Sequence, residues 1–201
     1  MEVLQAIKAR RSIRHYKSEP VEEEKINTVL EAARWAPSWG NTQCWRFIVV
    51  KDEATKSRLA ETLTSWNPSR SAIKEAPVVI VACAELGKSG FKEGIASTDK
   101  GDWYMFDVAL AMQNLVLAAH SFGLGTVHVG AFNAQDVAQI LKVPQGVAVV
   151  AMTPLGYPER TGKTPPRKEP SEIVFHETYG RRLSAPKWIR TPDLQLERLM
   201  S

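Results

Sequence analysis

The chain has 201 residues, 44% of them hydrophobic and 24% charged, and it carries a formal net charge of +4. These values predict one globular domain. They argue against a dedicated nucleic-acid binder, which usually shows a longer cationic stripe. The N-terminus has no signal-peptide pattern, and no apolar run is long enough to span a membrane. Only two cysteines occur, Cys44 and Cys83, without metal-ligand spacing, so we expect a cytoplasmic protein with no metal and no membrane or nucleic-acid partner.

Helical periodicity predicts five or six helices. The second has a proline near its entry and acidic residues in its first turn, as is common at a helix start. The longest is so apolar that we expect burial on nearly all sides, with surplus apolar surface suited to a subunit interface. Gly123 after it is expected to supply a left-handed stop. The predicted helices cover residues 2–9, 20–36, 53–65, a short turn through Ile73, 102–122 and 133–141.

Four or five strands are predicted between these helices. The continuous apolar run 78–84 is typical of a central strand, in which Cys83 acts as a small hydrophobic residue. Residues 85–100 break this pattern with Gly, Lys and Ser, which indicates an excursion that would suit a lid. The strands are predicted at 47–50, 78–84, 126–132, 147–152 and 171–176. The fold class is therefore α+β with a mixed sheet.

A basic segment, Arg10–Arg14, follows the first helix and holds three guanidinium groups and the hydroxyl of Ser12. Guanidinium donors form a planar pair that matches phosphate and carboxylate oxygens. The segment therefore predicts an anion site, and the alternative is a solvated basic arm.

The loop from Pro37 to Trp45 is the second candidate. It joins turn-forming residues to amide and hydroxyl side chains and two indoles, ahead of a strand, and such loops commonly present hydrogen-bonding groups to a ligand. The alternative is a plain connection whose donors face water. The two large rings favour a covered loop. By contrast, the segment Gly123–Thr126 follows a helix and lacks a third glycine, so we reject a dinucleotide-binding interpretation.

Six stretches, taken in order along nearly the whole chain to about Tyr179, resemble the FMN-dependent nitroreductase family. Each motif is weak alone, and their common order is the strong signal. They are Arg10–Arg14, Ala36–Ser38 with Asn41, Gln43 and Trp45, Gly123–Thr126 after the long helix, Val129–Phe132, Pro154–Tyr157, and Arg167 with Lys168.

The resemblance implies a three-layer α+β fold with a mixed, mainly antiparallel sheet flanked by helices, in a domain-swapped homodimer with two FMN sites at its interface. It implies a ping-pong cycle in which NADH or NADPH reduces FMN, and a small aromatic acceptor of nitroaromatic or quinone type then takes the electrons. Residues 1–180 would form the FMN-binding domain. Residues 181–201, which match no family motif, would form an extension packing on the partner subunit.

The resemblance also assigns cofactor contacts and no catalytic side chain, because hydride chemistry belongs to the flavin. The phosphate and ribityl end would lie on the basic segment and one residue of the 167–168 pair, and Arg14 would approach the pyrimidine edge and tune the ring. Residues 37–43 would form the flavin-contacting loop, and the backbone of Gly130 and Ala131 would face flavin N5. The cofactor-binding residues are Arg10, Arg11, Ser12, Arg14, Pro37, Ser38, Trp39, Asn41, Gln43, Val129, Gly130, Ala131, Arg167 and Lys168.

Two departures and several alternatives stay open at this point. Cys44 stands where the family usually has proline, and Trp39 is bulkier than is common there. Other reactions of the same fold are reductive dehalogenation and oxygen-dependent flavin chemistry. From different classes, the alternatives are a non-enzymatic anion or nucleic-acid binding module, and a thiol enzyme. The thiol enzyme would pair Cys44 with a histidine, the candidates being His15, His120, His128 and His176.

Overall fold

The computed structural model describes residues 1–182. The chain divides into two compact units, Met1–Gly162 and a second that begins at Lys163. Nearly all of the predicted C-terminal extension lies outside the described residues. Within residues 1–182, none of the helices combines the length and apolar character that a membrane crossing requires. The helices are α1 (Val3–Ala9), α2 (Glu23–Arg34), a 3-10 turn (Trp39–Asn41), α3 (Glu53–Glu61), α4 (Arg70–Glu75), α5 (Tyr104–Ser121), α6 (Ala134–Ile140) and α7 (Pro170–Ile173).

The first unit is built on a four-stranded antiparallel sheet. Its strand order is β1-β2-β6-β5, so the predicted central position of the 78–84 run is confirmed. One parallel bridge, between Ser12 and Thr126, adds the chain after α1 to the edge at β5. A separate two-stranded hairpin is formed by β3 and β4. The strands are β1 (Trp45–Val50), β2 (Val78–Glu85), β3 (Phe91–Lys92), β4 (Ile95–Ala96), β5 (Gly125–Thr126) and β6 (Val147–Gly156).

Helices cover both faces of this sheet. Alternate residues of β2 enter two different cores, because successive side chains of a strand point to opposite faces. Ile80 and Ala82 pack in a core with residues of α2 and α5, whereas Val79 and Val81 pack in a core with residues of α3, α4 and α6. The three-layer α+β arrangement expected from the sequence is thus present, and a strand buried on both faces explains the unbroken apolar run.

Local capping explains where several helices begin. The side chain of Asn133 accepts hydrogen bonds from the backbone N–H groups of Gln135 and Asp136 at 3.0 and 3.2 Å, which confirms the predicted start of α6. Asp52 caps α3 in the same way by accepting from the Thr55 N–H at 2.7 Å. Gly123 has φ +75° directly after α5, as expected for a left-handed stop.

The prediction that α5 is buried on nearly all sides is wrong. Its core stripe, which includes Val108, Ala111 and Leu115, is fully buried at helical spacing. Met105 and Phe106, one turn earlier, are each 55% exposed. The sheet and α2 cover one stripe of the helix, and the apolar residues outside that stripe reach the surface.

The predicted strand at 171–176 is also wrong, because α7 occupies its first half. Pro170 stands at the first position of this helix, where a missing N–H costs no hydrogen bond. The Glu169 N–H donates to the Glu172 carboxylate at 2.8 Å. These two start signals override the β propensity of the following residues.

Candidate functional site

The basic segment is held by the edge of the sheet. The Ile13 N–H donates to the Thr126 carbonyl at 2.9 Å, and the Ile13 side chain is only 4% exposed. Gly125 makes this close approach possible, because a Cβ there would lie 2.8 Å from Ile13. The backbone of the segment is therefore fixed, and Ser12 keeps an exposed side chain beside this anchor.

The arginines of this segment have different surroundings. The guanidinium of Arg11 donates to the carbonyls of Lys8 and Arg10 at 2.6 and 2.8 Å, where α1 ends, and a cation suits that end of a helix. Arg14 instead donates from its Nε to Ser69 Oγ at 3.3 Å. Arg14 thus has a different partner from Arg11, and its predicted role at the flavin ring stays a prediction.

The positive charge of this segment helps to lower the pKa of two histidines, His120 and His128. Burial lowers the pKa of His120, and the positive charges of Arg10 and Arg11 lower it further. Desolvation likewise lowers the pKa of His128, with Arg10 as the second cause, although part of the side chain reaches solvent. The side-chain Nε2 of His120 is buried without a hydrogen-bond partner. Neutral histidines beside clustered arginines indicate a positive potential that suits an anion.

Val129 and Gly130 border a cavity that residues of α5 and β6 also line. Val129 is paired with Met152 by two backbone hydrogen bonds of 2.9 Å, which leaves Gly130 exposed at the rim. The cavity has a volume of about 400 Å³ and mostly apolar walls. It is lined by Met105, Val108, Ala109, Met112, Gln113, His128, Val129, Gly130, Val150 and Ala151.

A hydrogen-bonded path joins the basic segment to this region. Arg14 Nε donates to Ser69 Oγ, and the Ser69 N–H donates to Asn67 Oδ1 at 2.9 Å. Asn67 Nδ2 then donates to the Ala131 carbonyl at 3.1 Å. Two predicted groups that lie more than a hundred residues apart in the chain are therefore brought together. Asn67 and Ser69, which make the connection, were not predicted.

The loop at residues 37–43 is folded tightly and contains unusual backbone. Gly40, Asn41 and Gln43 have φ values of +50°, +57° and +47°, and the latter two side chains make such conformations costly. The Gln43 N–H donates to Ser38 Oγ at 2.9 Å, and Gln43 Nε2 donates to Asn41 Oδ1 at 3.2 Å. Pro37, Asn41 and Gln43 are exposed. The loop thus presents predicted ligand groups on a constrained backbone.

Both indoles of this loop are covered, as expected. Trp45 is 6% exposed in the core under α5. Trp39 stacks on Trp103, with ring centroids 5.1 Å apart, and Trp103 meets Phe106 edge-on at 5.5 Å. A small cleft of about 230 Å³ opens between these rings and Pro37.

Asp107 is the main site residue that the sequence analysis missed. Its carboxylate is buried and accepts hydrogen bonds from the Trp39 N–H at 3.1 and 3.2 Å and from Ser89 Oγ at 2.7 Å. It is the only acid in α5, a helix with few other polar residues. An acid is almost never fully buried without partners, so its position in that helix was a usable signal.

Cys44 has no features of a catalytic thiol. Its side chain is fully buried, and its Sγ lies 3.8 Å from Asp107 Oδ2. Burial and the Asp107 charge raise the pKa of Cys44 to about 11, so the reactive thiolate is disfavoured. Cys83 is buried in β2, as predicted. Across residues 1–182, no cluster of three potential metal ligands occurs.

Arg167 and Lys168 belong to the second unit. Both are exposed, and the Arg167 guanidinium donates to the carbonyls of Pro165 and Pro166 at 3.2 Å. The chain before them, from Lys163, has no regular secondary structure. Their predicted role in anion binding stays a prediction.

Comparison with known proteins identifies the family. The model of the Nitroreductase family matches residues 7–72 and 63–157. An FMN reductase (NAD(P)H) of Bacillus subtilis is 32% identical over 217 aligned positions, which cover 100% of this chain and 83% of the relative. A 5,6-dimethylbenzimidazole synthase of Rhodospirillum rubrum is 30% identical, with 78% and 82% covered. The crystal structure of a nitroreductase family protein from Clostridium novyi NT has a TM-score of 0.71 and 32% identity, with 91% and 97% covered. The chain therefore belongs to the nitroreductase family.

Proposed function

We propose that this protein is an FMN-dependent oxidoreductase that takes electrons from NADH or NADPH and passes them through the flavin to a small aromatic acceptor. The observation that carries the proposal is the path from Arg14 through Ser69 and Asn67 to Ala131. It joins an anion-binding segment to the rim of an apolar cavity. FMN needs both features, a cationic contact for its phosphate and flat apolar cover for its rings. The name of the Bacillus subtilis relative, an FMN reductase, agrees with this chemistry.

The residues present fit FMN at both ends. Arg10 and Arg11 supply the positive potential that is felt at His120, and charge-assisted bonds to phosphate are short and strong. At the other end, apart from its chain neighbours, none of residues 1–182 has an atom within 4 Å of the position that a Cβ of Gly130 would take, so a ring can approach this backbone closely.

Each group of residues has a distinct task in this proposal. Ser12 and the two preceding arginines hold the phosphate and ribityl chain, and the apolar cavity walls exclude water from the rings. Arg14 would place positive charge near the pyrimidine edge of bound FMN, where it would stabilise negative charge on the reduced ring. FMN itself supplies the hydride and electron transfer when bound. No side chain is required as a nucleophile, in agreement with the burial of Cys44.

We further propose a homodimer with exchanged C-terminal segments, in which the loop at residues 37–43 reaches the partner's cofactor. Exposed apolar side chains on α1 and α5 support an interface: Val3 is 67% exposed, Ile7 51%, and Met105 and Phe106 55% each. Apolar side chains exposed on neighbouring helices mark interaction surfaces rather than free surface. The ping-pong order follows from one flavin site serving donor and acceptor in turn.

The acceptor site in this proposal is the small cleft that Trp39 and Trp103 line. A nitroaromatic or quinone suits the cleft that Trp39 and Trp103 line together with Pro37, because planar electron-poor rings stack on electron-rich indoles. One relative is named a 5,6-dimethylbenzimidazole synthase, so the family includes other activities. Reductive dehalogenation and oxygen-dependent flavin chemistry are therefore the alternative outcomes of the acceptor assay.

The test begins with the visible spectrum of the purified protein, followed by anaerobic addition of NADH and NADPH to separate samples. We expect a flavin spectrum that one or both donors bleach. Reoxidation is then followed with nitroaromatics, quinones and halophenols in parallel. Protein that is colourless and stays so after incubation with excess FMN would overturn the flavin assignment and favour a non-enzymatic anion-binding module.

A further inference from the structure

A buried polar centre lies at the beginning of α5. Asp107 is 1% exposed, and its two carboxylate oxygens accept the Trp39 N–H at 3.1 and 3.2 Å. Oδ2 also accepts the Ser89 hydroxyl at 2.7 Å and faces the Cys44 thiol at 3.8 Å. Burying a carboxylate is costly unless several donors compensate it. Here the donors come from two different segments that both pack on α5.

The first of these segments is the loop at residues 37–43, whose backbone needs support. Three of its residues, Gly40, Asn41 and Gln43, are left-handed, and the two that carry side chains would relax if nothing held them. Asp107 fixes the loop at Trp39, the first residue of the 3-10 turn. The carboxylate therefore acts on the shape of the loop through this backbone contact.

The second segment is the hairpin region, residues 86–101. Ser89 is fully buried, and its carbonyl accepts the Trp103 N–H at 3.0 Å. The Trp103 indole donates to Thr98 Oγ1 at 3.1 Å, and a Cβ on Gly90 would lie only 2.5 Å from the Trp103 ring. The hairpin region is thus wrapped around Trp103, which in turn stacks on Trp39 at 5.1 Å.

Two connections therefore run from the hairpin region to Trp39. One is polar, through Ser89 and Asp107, and the other is aromatic, through Trp103. Both border the same cleft of about 230 Å³ between the rings. Ser89 and Trp39 bind Asp107 through separate hydrogen bonds. Replacing Ser89 therefore removes one bond and leaves the Trp39 bond in place.

We propose that Asp107 is a positioning residue that sets the shape of the Trp39 loop and couples it to the hairpin region. The inference rests on the proposed function, which places that loop against FMN. The Trp39 contact then determines how well FMN is held. The Ser89 contact determines how the hairpin region supports Asp107 and Trp103, which line the acceptor cleft.

The experiment compares Asp107→Asn, Ser89→Ala and the control Ser97→Ala, which makes the same change at an exposed residue of the same hairpin region. Asparagine keeps the shape of Asp107 but removes its charge and one acceptor oxygen. FMN affinity is measured by quenching of flavin fluorescence, and steady-state kinetics use NADH with 1,4-benzoquinone. The visible spectrum of bound FMN is recorded for every variant.

We expect Asp107→Asn to raise the Kd for FMN about tenfold, the effect of one weakened charge-assisted hydrogen bond, and to shift the flavin absorption bands. We expect Ser89→Ala to leave the Kd for FMN unchanged and to raise the KM for benzoquinone several-fold, while the rate of flavin reduction by NADH stays the same. Ser97→Ala should change none of these values. A residue with only a structural role would lower thermal stability without this split.

Variants that lose thermal stability alone, with wild-type Kd for FMN and KM for benzoquinone, would overturn the inference. The inference would also be overturned if Ser89→Ala raised the Kd for FMN as much as Asp107→Asn does. If Asp107→Asn does not fold, Ser89→Ala decides by its KM. A wild-type protein that binds no FMN would overturn the proposed function and this inference together, whereas FMN binding that neither variant changes would overturn this inference alone.

Discussion

Replacing Gly125 by alanine should displace the basic segment from the sheet. A Cβ at this position would lie 2.8 Å from Cβ and Cγ1 of Ile13 and 2.9 Å from its Cγ2. Carbon atoms in contact normally lie about 3.5–4.0 Å apart. Ile13 cannot turn away, because its own Cβ is one of the contacting atoms and its N–H is bonded to Thr126. The backbone of residues 10–14 must therefore move.

The size of the effect follows from packing. Forcing an extra carbon into a closely packed site costs about 1–3 kcal/mol, and the lower entropy of the unfolded chain returns about 0.4–1 kcal/mol. In a protein of this size each kcal/mol lowers Tm by about 2–4 °C. Because Arg14 and Ser12 move with the same backbone, we also expect FMN affinity to fall about tenfold, the loss of one charge-assisted bond.

Urea unfolding without FMN measures the first effect, and titration with FMN measures the second. Gly162→Ala is the matched control. Among the described residues, its chain neighbours aside, a Cβ there meets no atom within 4 Å, so the change should alter stability by at most about 0.5 kcal/mol. A Gly125→Ala protein with the urea midpoint and FMN affinity of this control would refute the packing of the basic segment on β5. Lower stability with unchanged FMN affinity would keep that packing but remove the segment from the cofactor site.

Three further substitutions test other parts of the site. Arg14→Ala should raise the Kd for FMN about tenfold and slow flavin reduction by NADH, with partial recovery in Arg14→Lys; unchanged occupancy and rate would count against its placement. Cys44→Ala should retain reductase turnover, and loss of all turnover at constant flavin content would restore the thiol-enzyme hypothesis. His128→Gln should reduce the pH dependence of stability in the apoprotein. The pKa of His128 is lowered on folding from 6.5, so its contribution is complete above that value and is lost as pH falls through the folded pKa. Urea midpoints at pH 7.5 and 5 should therefore differ more in the wild type than in His128→Gln, and equal differences would contradict the assignment.

Local patterns predicted the elements well, because capping and periodicity act over a few residues. Asn133 and Gly123 were identified as helix boundaries from residue type alone, and both have the expected geometry. The apolar run at 78–84 predicted a central strand, since a strand buried on both faces needs no polar alternation. The prediction of a strand at 171–176 was wrong for an equally local reason. A proline and a glutamate at the start of α7 outweigh the β propensity of the residues that follow.

Contacts between distant segments could not be predicted in this way. Nothing in the residue types indicates that Asn67 joins Arg14 to Ala131, since the two groups meet only after β5 and β6 have paired. The exposure of Met105 and Phe106 likewise depends on which stripe of α5 the sheet covers, not on their hydrophobicity. The family resemblance supplied candidate ligand residues, but only the fold shows which side chains orient them.

The two departures from the family pattern meet at one place in the structure. Trp39 and Cys44, which are unusual in this position of the family, both contact Asp107. A proline at residue 44 would have no thiol to face this carboxylate, and a smaller residue at 39 would not stack on Trp103. Both departures therefore lie at the Asp107 centre, whereas the basic segment matches the pattern that the resemblance assigned to the cofactor. Differences in acceptor choice from other members should consequently arise at the Asp107 centre and its cleft, and not where the cofactor phosphate binds.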